Sequence, residues 1–566
     1  MISSVYALMI AVTGGFTIAV AGIRLSTHAV VRPIVVALVL GLCGIVAAPP
    51  GHNNVLTRVT GATVHRLGFI TAALIAAVVG IVCYVQGAHV ASAADPSGYL
   101  SQARLWRAGD LHIHTPLALE IDTEHGQYVF TPLGYQPSAT RGVAVPGYPP
   151  GLPLHFAAAK AIAGEQAQFA VMPLSAAGLV IVAFLFGRRL GGSETAILSA
   201  ALCAASPMLL FQASQPMSDA VAAFWWSLAV LLLTYDSIWS AAIAGAAAAV
   251  ACGVRPNLFA MVPVMVILAA WWRGRITPLS RWIAFLASPA IAAFALAAMQ
   301  RSLFGSATTS GYGAVGSLFS LDHVWPNLGR YAKWALFTQS ALILVPIAAP
   351  FVIRRGWIDP WIDRGRAIKI ATSALVFFAA LQVFYLLYIV LDEWISFRFL
   401  LPALPWLLVM QAAVFAALCR RLPVALRSAA VVAVAVMVCS WQIERAHAIG
   451  AFQLHRSERR YLDVAGFART LPANAVFMTL HHSGSLPYYI AATVLRWDWL
   501  QPHEIDRVVA EIAAKGRPLY AVIDDLEEPQ FRTKFAGTRT AARLGTPVFS
   551  AGDGAGITSR VYLVTE

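Results

Sequence analysis

A single carboxylate, Asp95, stands where a long apolar segment gives way to polar sequence. The apolar run 67–85 precedes it, and Asp95 opens the polar stretch 95–103. About 20 apolar residues cross the hydrocarbon core of a bilayer, so we expect Asp95 just where a helix leaves the membrane. A carboxylate there is accessible to water and has low-dielectric walls around it, which suits a general base. Asp95 followed by Pro96 also fits a helix N-cap with proline at the first helical position, and the two roles are compatible.

Other polar side chains collect at the predicted ends of apolar segments on the same side. An arginine at a membrane edge either pairs with a carboxylate or binds an anion. Arg398 has Asp392 and Glu393 nearby for such pairing, whereas the planar forks of Arg255 and Arg398 also match the oxygens of a phosphate. The candidate substrate-binding residues are Tyr99, Tyr148, Asp219, Arg255, Lys333, Asp392, Glu393 and Arg398.

The composition predicts a polytopic membrane protein. Of the 566 residues, 59% are hydrophobic and 12% are charged, against about 25% charged residues in soluble proteins. Arginines that flank membrane segments explain the net charge of +13, so we expect no nucleic-acid partner. All six cysteines lie in or at the ends of apolar segments, which indicates neither a disulfide framework nor a cysteine-based zinc site.

Hydropathy predicts about thirteen membrane helices in residues 1–447. Their expected cores are 4–23, 29–48, 67–86, 167–187, 194–213, 219–235, 237–253, 257–272, 281–299, 334–353, 370–391, 400–419 and 428–446. With a cytoplasmic N-terminus, the inner short loops hold roughly twice as many arginines and lysines as the outer ones, as the positive-inside rule requires. Two long polar regions, 88–166 and 448–566, then lie together on the outer side.

The two long polar regions differ in predicted structure. Proline and glycine are so dense over 142–153 that we expect neither a regular helix nor a strand there. In 448–566, strand-like runs at 475–480 and 519–523 flank a helical pattern at 503–515, which predicts a small extracytoplasmic α/β domain. The adjacent histidines His481 and His482 do not share a face and no third ligand stands out, so we expect no metal site.

These motifs together resemble the GT-C superfamily of membrane glycosyltransferases, in the branch of the protein O-mannosyltransferases and aminoarabinose transferases. The resemblance covers about residues 67–419 in consistent order. It rests on Asp95-Pro96-Ser97-Gly98-Tyr99, Tyr148-Pro149-Pro150-Gly151-Leu152-Pro153, Met217-Ser218-Asp219, Arg255-Pro256-Asn257 and Arg398-Phe399-Leu400-Leu401-Pro402-Ala403-Leu404-Pro405.

The resemblance implies a glycosyltransferase that takes a sugar from a polyprenyl-phosphate donor, with Asp95 as the catalytic carboxylate. Pro96 stands where relatives often have a second acid, and Tyr148 stands where many have histidine, so neither of those roles is carried over. We expect an inverting displacement on the outer side of the cytoplasmic membrane of the cell envelope. The expected acceptor is a lipid, a polysaccharide or a protein.

Two further expectations complete this interpretation. We expect no cofactor, although the sequence leaves a divalent cation open. The alternative function is a transporter or flippase of lipid-linked sugars, which would account equally well for the helices and the basic residues at the membrane edge. An internal repeat is common in transporters, and we find none in this sequence.

Overall fold

The structure is a computed structural model that describes residues 16–20, 23–27, 56–273, 277–552 and 556–565. The predicted membrane helices 4–23 and 29–48 lie largely outside the described residues. Where the first of them is described, the helix prediction is wrong: Phe16–Val20 (β1) pairs antiparallel with Ile23–Thr27 (β2). Both segments are rich in β-branched residues, which favour a strand, whereas hydropathy registers only that they are apolar.

From residue 56 to 448 the chain is mainly helical. Its α-helices are α1 (Leu56–Val85), α2 (Asp95–Ala108), α3 (Leu117–Glu120), α4 (Gly151–Ala163), α5 (Val171–Gly191), α6 (Ser193–Ala205), α7 (Pro207–Ala213), α8 (Ser218–Leu233), α9 (Ile238–Val254), α10 (Met261–Arg273), α11 (Leu279–Phe304), α12 (Val324–Gln339), α13 (Ala349–Arg354), α14 (Arg364–Leu386), α15 (Leu404–Cys419) and α16 (Val424–Ala448).

The described residues contain fewer candidate membrane spans than the thirteen predicted, two of which lie largely outside those residues. Within the described residues, six helices are long and apolar enough to cross a membrane, or up to nine if each of three bent helix pairs counts as one span. The predicted spans 219–235 and 237–253 are apolar helices of only 16 residues (α8) and 17 residues (α9). The expected count of about thirteen is therefore not reached in the described part of the chain.

Bends explain why some predicted spans are not single straight helices. The predicted span 194–213 is the pair α6 and α7, which meet at 55° where Pro207 begins the second helix. The predicted span 334–353 is broken by 94° near Ser340, whose φ is 58°. The predicted span 400–419 starts with a 3-10 helix, Trp394–Leu400, that meets α15 at 82°. A hydropathy window averages composition and does not register such breaks.

The first long polar region is folded, although its Pro-Gly-rich stretch was expected to lack regular structure. Residues 88–166 hold α2, α3, α4 and a three-stranded antiparallel sheet in the order β3-β5-β4. The strands are β3 (Ile113–His114), β4 (Tyr135–Pro137) and β5 (Val143–Pro146). The expectation for 142–153 is wrong, because Pro146 closes β5 at its end and Pro150 directly precedes α4, both positions where proline is tolerated. Residues 309–310 (β6) and 313–314 (β7) form a short hairpin after α11.

The second polar region contains a mixed five-stranded sheet in the order β11-β12-β10-β8-β9. Both predicted strands are present, as β8 (Val476–Thr479) and β10 (Leu519–Asp524), and they are parallel. The predicted helix is Ile505–Ala514 (α20). The remaining elements are α17 (Leu454–Ser457), α18 (Arg460–Ala468), α19 (His482–Ile490), β9 (Thr493–Leu495), α21 (Glu528–Lys534), α22 (Arg539–Ala542), β11 (Phe549–Ala551) and β12 (Ser559–Thr565).

The two polar regions pack against each other. Leu117, Ile121 and Phe130 of the first share one apolar cluster with residues of the C-terminal sheet and its helices. The backbone N–H of Arg496 donates to the carbonyl oxygen of Val129 at 2.7 Å. Direct contacts of this kind require both regions to lie on the same side of any membrane that the helices cross.

We predict that both regions lie outside the cell. Cysteines introduced at Ala139 and Ala536, which are exposed in the two regions, should react with a membrane-impermeant maleimide in intact cells. A cysteine at Arg354, the exposed last residue of α13, should react only after permeabilisation.

The five described native cysteines are buried, so a Cys43→Ser background should give little labelling. Protection of both test positions together with labelling of position 354 in intact cells would reverse the orientation. Labelling of one region with protection of the other would contradict their shared side.

Candidate functional site

Asp95 is the first residue of α2, and its side chain points away from the helix backbone. The N-cap position is held by Ala94, and no side chain caps the helix. The expectation that Asp95 is the N-cap is therefore wrong. Its carboxylate instead accepts two tertiary hydrogen bonds, from the Tyr148 hydroxyl at 2.6 Å and from the Arg398 guanidinium at 3.0 Å. Asp95 therefore belongs to a site whose residues come from distant parts of the chain.

Tyr148 reaches Asp95 because α2 has no side chain at position 98. A Cβ at Gly98 would lie 2.4 Å from the Tyr148 ring, so only glycine lets the ring rest on the helix. The ring also packs against Tyr99, with centroids 4.7 Å apart. Burial, followed by the neighbouring Asp95 carboxylate, raises the pKa of Tyr148 well above its usual value. The phenol therefore stays protonated at neutral pH and acts as a donor to Asp95.

Two arginines and two carboxylates form a continuous charge network. Arg398 contacts Asp95 through one terminal nitrogen, and its other terminal nitrogen lies 3.9 Å from Asp219. Arg255 donates to Asp219 at 2.6 Å. The Asp219 side chain is 1% exposed, whereas that of Asp95 is 26% exposed. Asp219 is therefore the buried anchor of the network, and Asp95 is its solvent-facing end.

The network borders a cavity of about 520 Å³. Asp95, Arg255 and Arg398 are the charged side chains among its described lining residues. Aromatic rings and apolar side chains form much of the remaining wall, from α11, the 305–323 loop, the end of α14, the segment after it and the 3-10 helix Trp394–Leu400. They are Leu296, Met299, Phe304, Tyr312, Leu318, Phe319, Phe384, Tyr388, Ile389, Leu391 and Phe399. A cavity with one cluster of charges and a long apolar wall fits an amphiphilic molecule.

The structure brings together some of the predicted site residues and leaves others apart. Asp95, Tyr99, Tyr148, Arg255 and Arg398 line the cavity, and Asp219 lies directly behind the two arginines.

The predicted pairing of Arg398 with Asp392 or Glu393 is wrong. Asp392 pairs with Arg330 instead. Asp392, Glu393 and Lys333 are all exposed and do not line the cavity. These three positions were chosen because they are close in sequence to a helix end, and the loops carry them away from the charge network.

Several lining residues were missed by the sequence argument. Tyr312 belongs to the glycine-rich loop after α11, and its ring lies 6.0 Å from that of Tyr148. Phe399 lies under both guanidinium groups, 5.0 Å from Arg255 and 5.5 Å from Arg398. Its position directly after Arg398 could have predicted this contact, because the guanidinium of an arginine often stacks on an aromatic face. Tyr312 had no such signal, since its placement depends on how the loop folds back.

A second polar cluster lies at the end of strands β8 and β10. His481, Asp524 and Glu527 each offer a ligand atom within 4.8 Å of the others, so this group could hold a metal ion. Sequence reasoning found no third ligand because Asp524 and Glu527 lie more than forty positions away along the chain. None of the three residues lines the cavity beside Asp95.

Charged hydrogen bonds join the three residues of this cluster. Burial lowers the pKa of His481, but its hydrogen bonds with Asp524 and Glu527 outweigh that effect and raise it to about 10. His481 is then a cation at neutral pH, and a metal would have to displace its proton. The cluster is adjacent to α2: a Cβ at Gly484, two residues after His482, would lie 2.2 Å from the Ser97 hydroxyl. We interpret it as the ion-pair cluster that holds the C-terminal sheet against the segment carrying Asp95.

The buried position of Asp219 generates a stability prediction. Asp219→Ala leaves Arg255 with no carboxylate at hydrogen-bonding distance. Because a buried charge without a partner is unfavourable, the substitution should destabilise the protein by about 3–5 kcal/mol. Thermal unfolding in detergent measures this loss. The matched control is Asp392→Ala, which removes an exposed ion pair worth about 0–1 kcal/mol. Equal losses in the two variants would show that Asp219 is not the anchor of the network.

Neither a family model nor a curated protein matches the sequence. Solved structures with a similar fold include ArnT from Cupriavidus metallidurans bound to undecaprenyl phosphate, at a TM-score of 0.50 and 13% identity, covering 86% of this chain and 97% of that chain. The apo state of ArnT from the same organism gives a TM-score of 0.50 and 16% identity, covering 88% and 98%. An oligosaccharyltransferase from Archaeoglobus fulgidus, in complex with Zn and sulfate, gives a TM-score of 0.48 and 11% identity, covering 86% and 73%. This chain therefore has the fold of ArnT.

Proposed function

We propose that the protein transfers a sugar from a polyprenyl-phosphate donor to an acceptor hydroxyl or amine, with Asp95 as general base. The observation that carries this proposal is a solvent-facing carboxylate, Asp95, that is paired with Arg398 and shares with Arg255 the lining of a cavity with an apolar wall. Such a cavity offers separate places for a phosphate, a sugar and a lipid chain. One structure with this fold, ArnT from C. metallidurans, was solved bound to undecaprenyl phosphate, which supports a polyprenyl-linked donor here.

The two guanidinium groups are suited to the donor phosphate. Arg255 and Arg398 share the buried Asp219, which fixes their positions before any ligand arrives. Arg398 still has a buried Nε without a hydrogen-bond partner among the described residues. An unsatisfied buried donor is costly, and an incoming phosphate oxygen would satisfy it. The same two cations would stabilise the negative charge that grows on the phosphate as it leaves.

Asp95 retains the capacity to accept a further proton. An ionised carboxylate offers about four lone-pair sites, and the structure uses one on each oxygen, for Tyr148 and for Arg398. Those two donors orient the carboxylate toward the cavity, as a positioned base requires. Binding of phosphate by Arg398 would loosen its contact with Asp95 and leave that carboxylate oxygen available to the acceptor.

The proposed reaction is a single displacement. The acceptor loses its proton to Asp95 while its oxygen or nitrogen bonds to the anomeric carbon. The bond from that carbon to the phosphate oxygen breaks, and the bonding pair leaves with the polyprenyl phosphate. The sugar inverts at the anomeric carbon. The step uses groups of this chain alone, and a divalent cation is left open as an aid to the phosphate.

The proposal extends to the side of the membrane and to the acceptor. We place the reaction on the outer side of the cytoplasmic membrane, with a lipid, polysaccharide or protein as acceptor. The alternative, a flippase of lipid-linked sugars, would move the same donor without consuming it. Purified protein in proteoliposomes distinguishes the two, because a transferase releases free polyprenyl phosphate and a flippase leaves the donor intact.

Asp95→Asn is the sharpest test of the base. Asparagine keeps one carbonyl oxygen that can accept from Tyr148 or from Arg398, but it does not take the acceptor proton. We expect normal expression and donor binding, with transfer reduced about 10²–10⁴-fold, the usual contribution of a positioned base. Turnover in a donor-hydrolysis or transfer assay measures the loss. Asp392→Asn is the control, since that carboxylate is exposed and outside the cavity; near-normal turnover by Asp95→Asn would remove Asp95 from the mechanism.

Arg398→Lys tests the phosphate site. Lysine keeps the positive charge but loses the planar fork. We expect donor affinity to fall by about 1.5–3 kcal/mol, the worth of a hydrogen bond to a charged group, while the protein remains folded. Binding of polyprenyl phosphate measures this change, and Arg330→Lys, at an arginine paired with exposed Asp392, is the matched control. Unchanged affinity in Arg398→Lys would mean that this arginine serves only to hold Asp95.

A further inference from the structure

A second cavity, of about 460 Å³, lies at the far end of the helices from Asp95. Helix α8 starts beside the first cavity at Ser218 and, after 16 residues, ends beside the second, about 24 Å away at about 1.5 Å per residue. Helix α14 has the same relation to both cavities: Arg366 in its first turn lines the second, and Phe384 near its end lines the first. The two cavities therefore face opposite sides of the membrane.

The second cavity is strongly basic. Arg188, Arg189 and Arg366 line it, together with one carboxylate, Asp363. That carboxylate is engaged as the N-cap of α14, where it accepts from the backbone N–H of Arg366 at 3.1 Å. The next carboxylate, Asp236, lies 3.6 Å from Arg366 and is shared with Arg273. The described part of the chain thus leaves an excess of positive charge around the cavity.

Two of the three arginines are held in place by the end of α8. Arg189 donates to the carbonyl oxygen of Thr234 at 3.1 Å and to its hydroxyl at 3.0 Å. The Arg189 guanidinium lies 3.5 Å from the centroid of the Tyr235 ring. Arg366 donates to the same carbonyl oxygen of Thr234. Guanidinium groups fixed in this way lose little freedom when an anion binds.

Arg188 differs from its two neighbours. Its side chain is exposed and makes no hydrogen bond or ion pair with any residue that the structure describes. An isolated arginine at a membrane edge usually extends toward water. An arginine can extend toward water without two other arginines beside it. The three arginines around this cavity therefore place several unused N–H donors around a single space.

The rim of the cavity is apolar on one side. Trp361 is 92% exposed, and Leu185, Ile362 and Ile370 complete this wall. Tryptophan exposed at the level of basic residues is typical of the boundary between headgroups and acyl chains. A ligand that fits both walls has an anionic head and an apolar tail.

We propose that this basic cavity binds the phosphate of an anionic phospholipid headgroup, with Arg188, Arg189 and Arg366 as its ligands. Arginine forks bind phosphate oxygens in pairs, and Trp361 and Ile362 contact the first carbons of the acyl chains. With the Asp95 cavity outside, the basic cavity faces the cytoplasmic leaflet, whose anionic lipids attract such clusters. The lipid would stabilise the helix ends opposite the catalytic cavity without entering the reaction.

Native mass spectrometry of the full-length protein tests this proposal, with phosphatidylglycerol and phosphatidylcholine supplied in equal amounts. We expect wild-type protein to retain phosphatidylglycerol preferentially. Arg188→Gln should bind it about tenfold more weakly, the loss of roughly one charged hydrogen bond, with an unchanged Tm in phosphatidylcholine. The matched control is Arg354→Gln, an exposed arginine at the same end of the bundle that does not line the cavity.

A parallel arm supplies inorganic phosphate. Binding of phosphatidylglycerol that depends on Arg188 and is not displaced by phosphate supports the lipid headgroup. Displacement by low concentrations of phosphate would support the phosphate site but overturn the lipid as its source. Equal retention of the two lipids, or equal losses in Arg188→Gln and Arg354→Gln, would overturn the proposal. Arg366→Gln provides a second variant of the same site.

Discussion

A carboxylate with almost no solvent contact, Asp219, holds two arginines in one small space. A buried charge is tolerated only when it is paired, and removal of one partner is expensive. Asp219 lies at the start of α8, Arg255 follows α9, and Arg398 belongs to the 3-10 helix before α15. The ion pairs therefore bring three separate segments to one point. Asp95 joins as the fourth group and is the only one of the two carboxylates that faces the cavity.

The segment that carries Asp95 is positioned from two sides. On one side Tyr148 rests on α2 at Gly98, and on the other α19 of the C-terminal region packs on the same helix near Ser97. The ion-pair cluster around His481 and Asp524 lies at the start of α19, which makes this contact. The C-terminal region thus acts on the site through the position of α2, although none of its described residues lines the cavity. This arrangement explains how the C-terminal sheet region and the helical bundle together position a single candidate site.

The sequence patterns identified several residues of the candidate site, but they did not identify which residues these contact. Asp95, Arg255 and Arg398 were found because each is a polar residue at the end of an apolar segment. Their pairing was not predictable, since Asp95 and Arg398 are separated by 303 positions and no local rule relates them. Proximity in sequence favoured Asp392 and Glu393 as partners of Arg398, and the chain turns both toward solvent instead.

For the fold as well, the sequence predicted some elements and missed others. Continuous apolar runs such as α11 and α16 were recognised because length and hydropathy are sufficient evidence for a span. The strands β8 and β10 were recognised from short apolar runs bounded by polar residues. The bends near Pro207 and Ser340 were missed, because they depend on a single proline or a single backbone angle inside an apolar run. The hairpin of β1 and β2 was missed because its residues are as apolar as those of a helix.

The proposed mechanism requires a donor phosphate to bind to Arg255 and Arg398 within reach of Asp95. A cryo-electron microscopy structure of the protein with undecaprenyl phosphate is the decisive measurement. We expect phosphate density in the cavity of about 520 Å³, with oxygens within about 3 Å of both guanidinium groups, and the lipid chain along the apolar wall. Phosphate bound outside this cavity, with the contact between Arg398 and Asp95 unchanged, would rule this mechanism out.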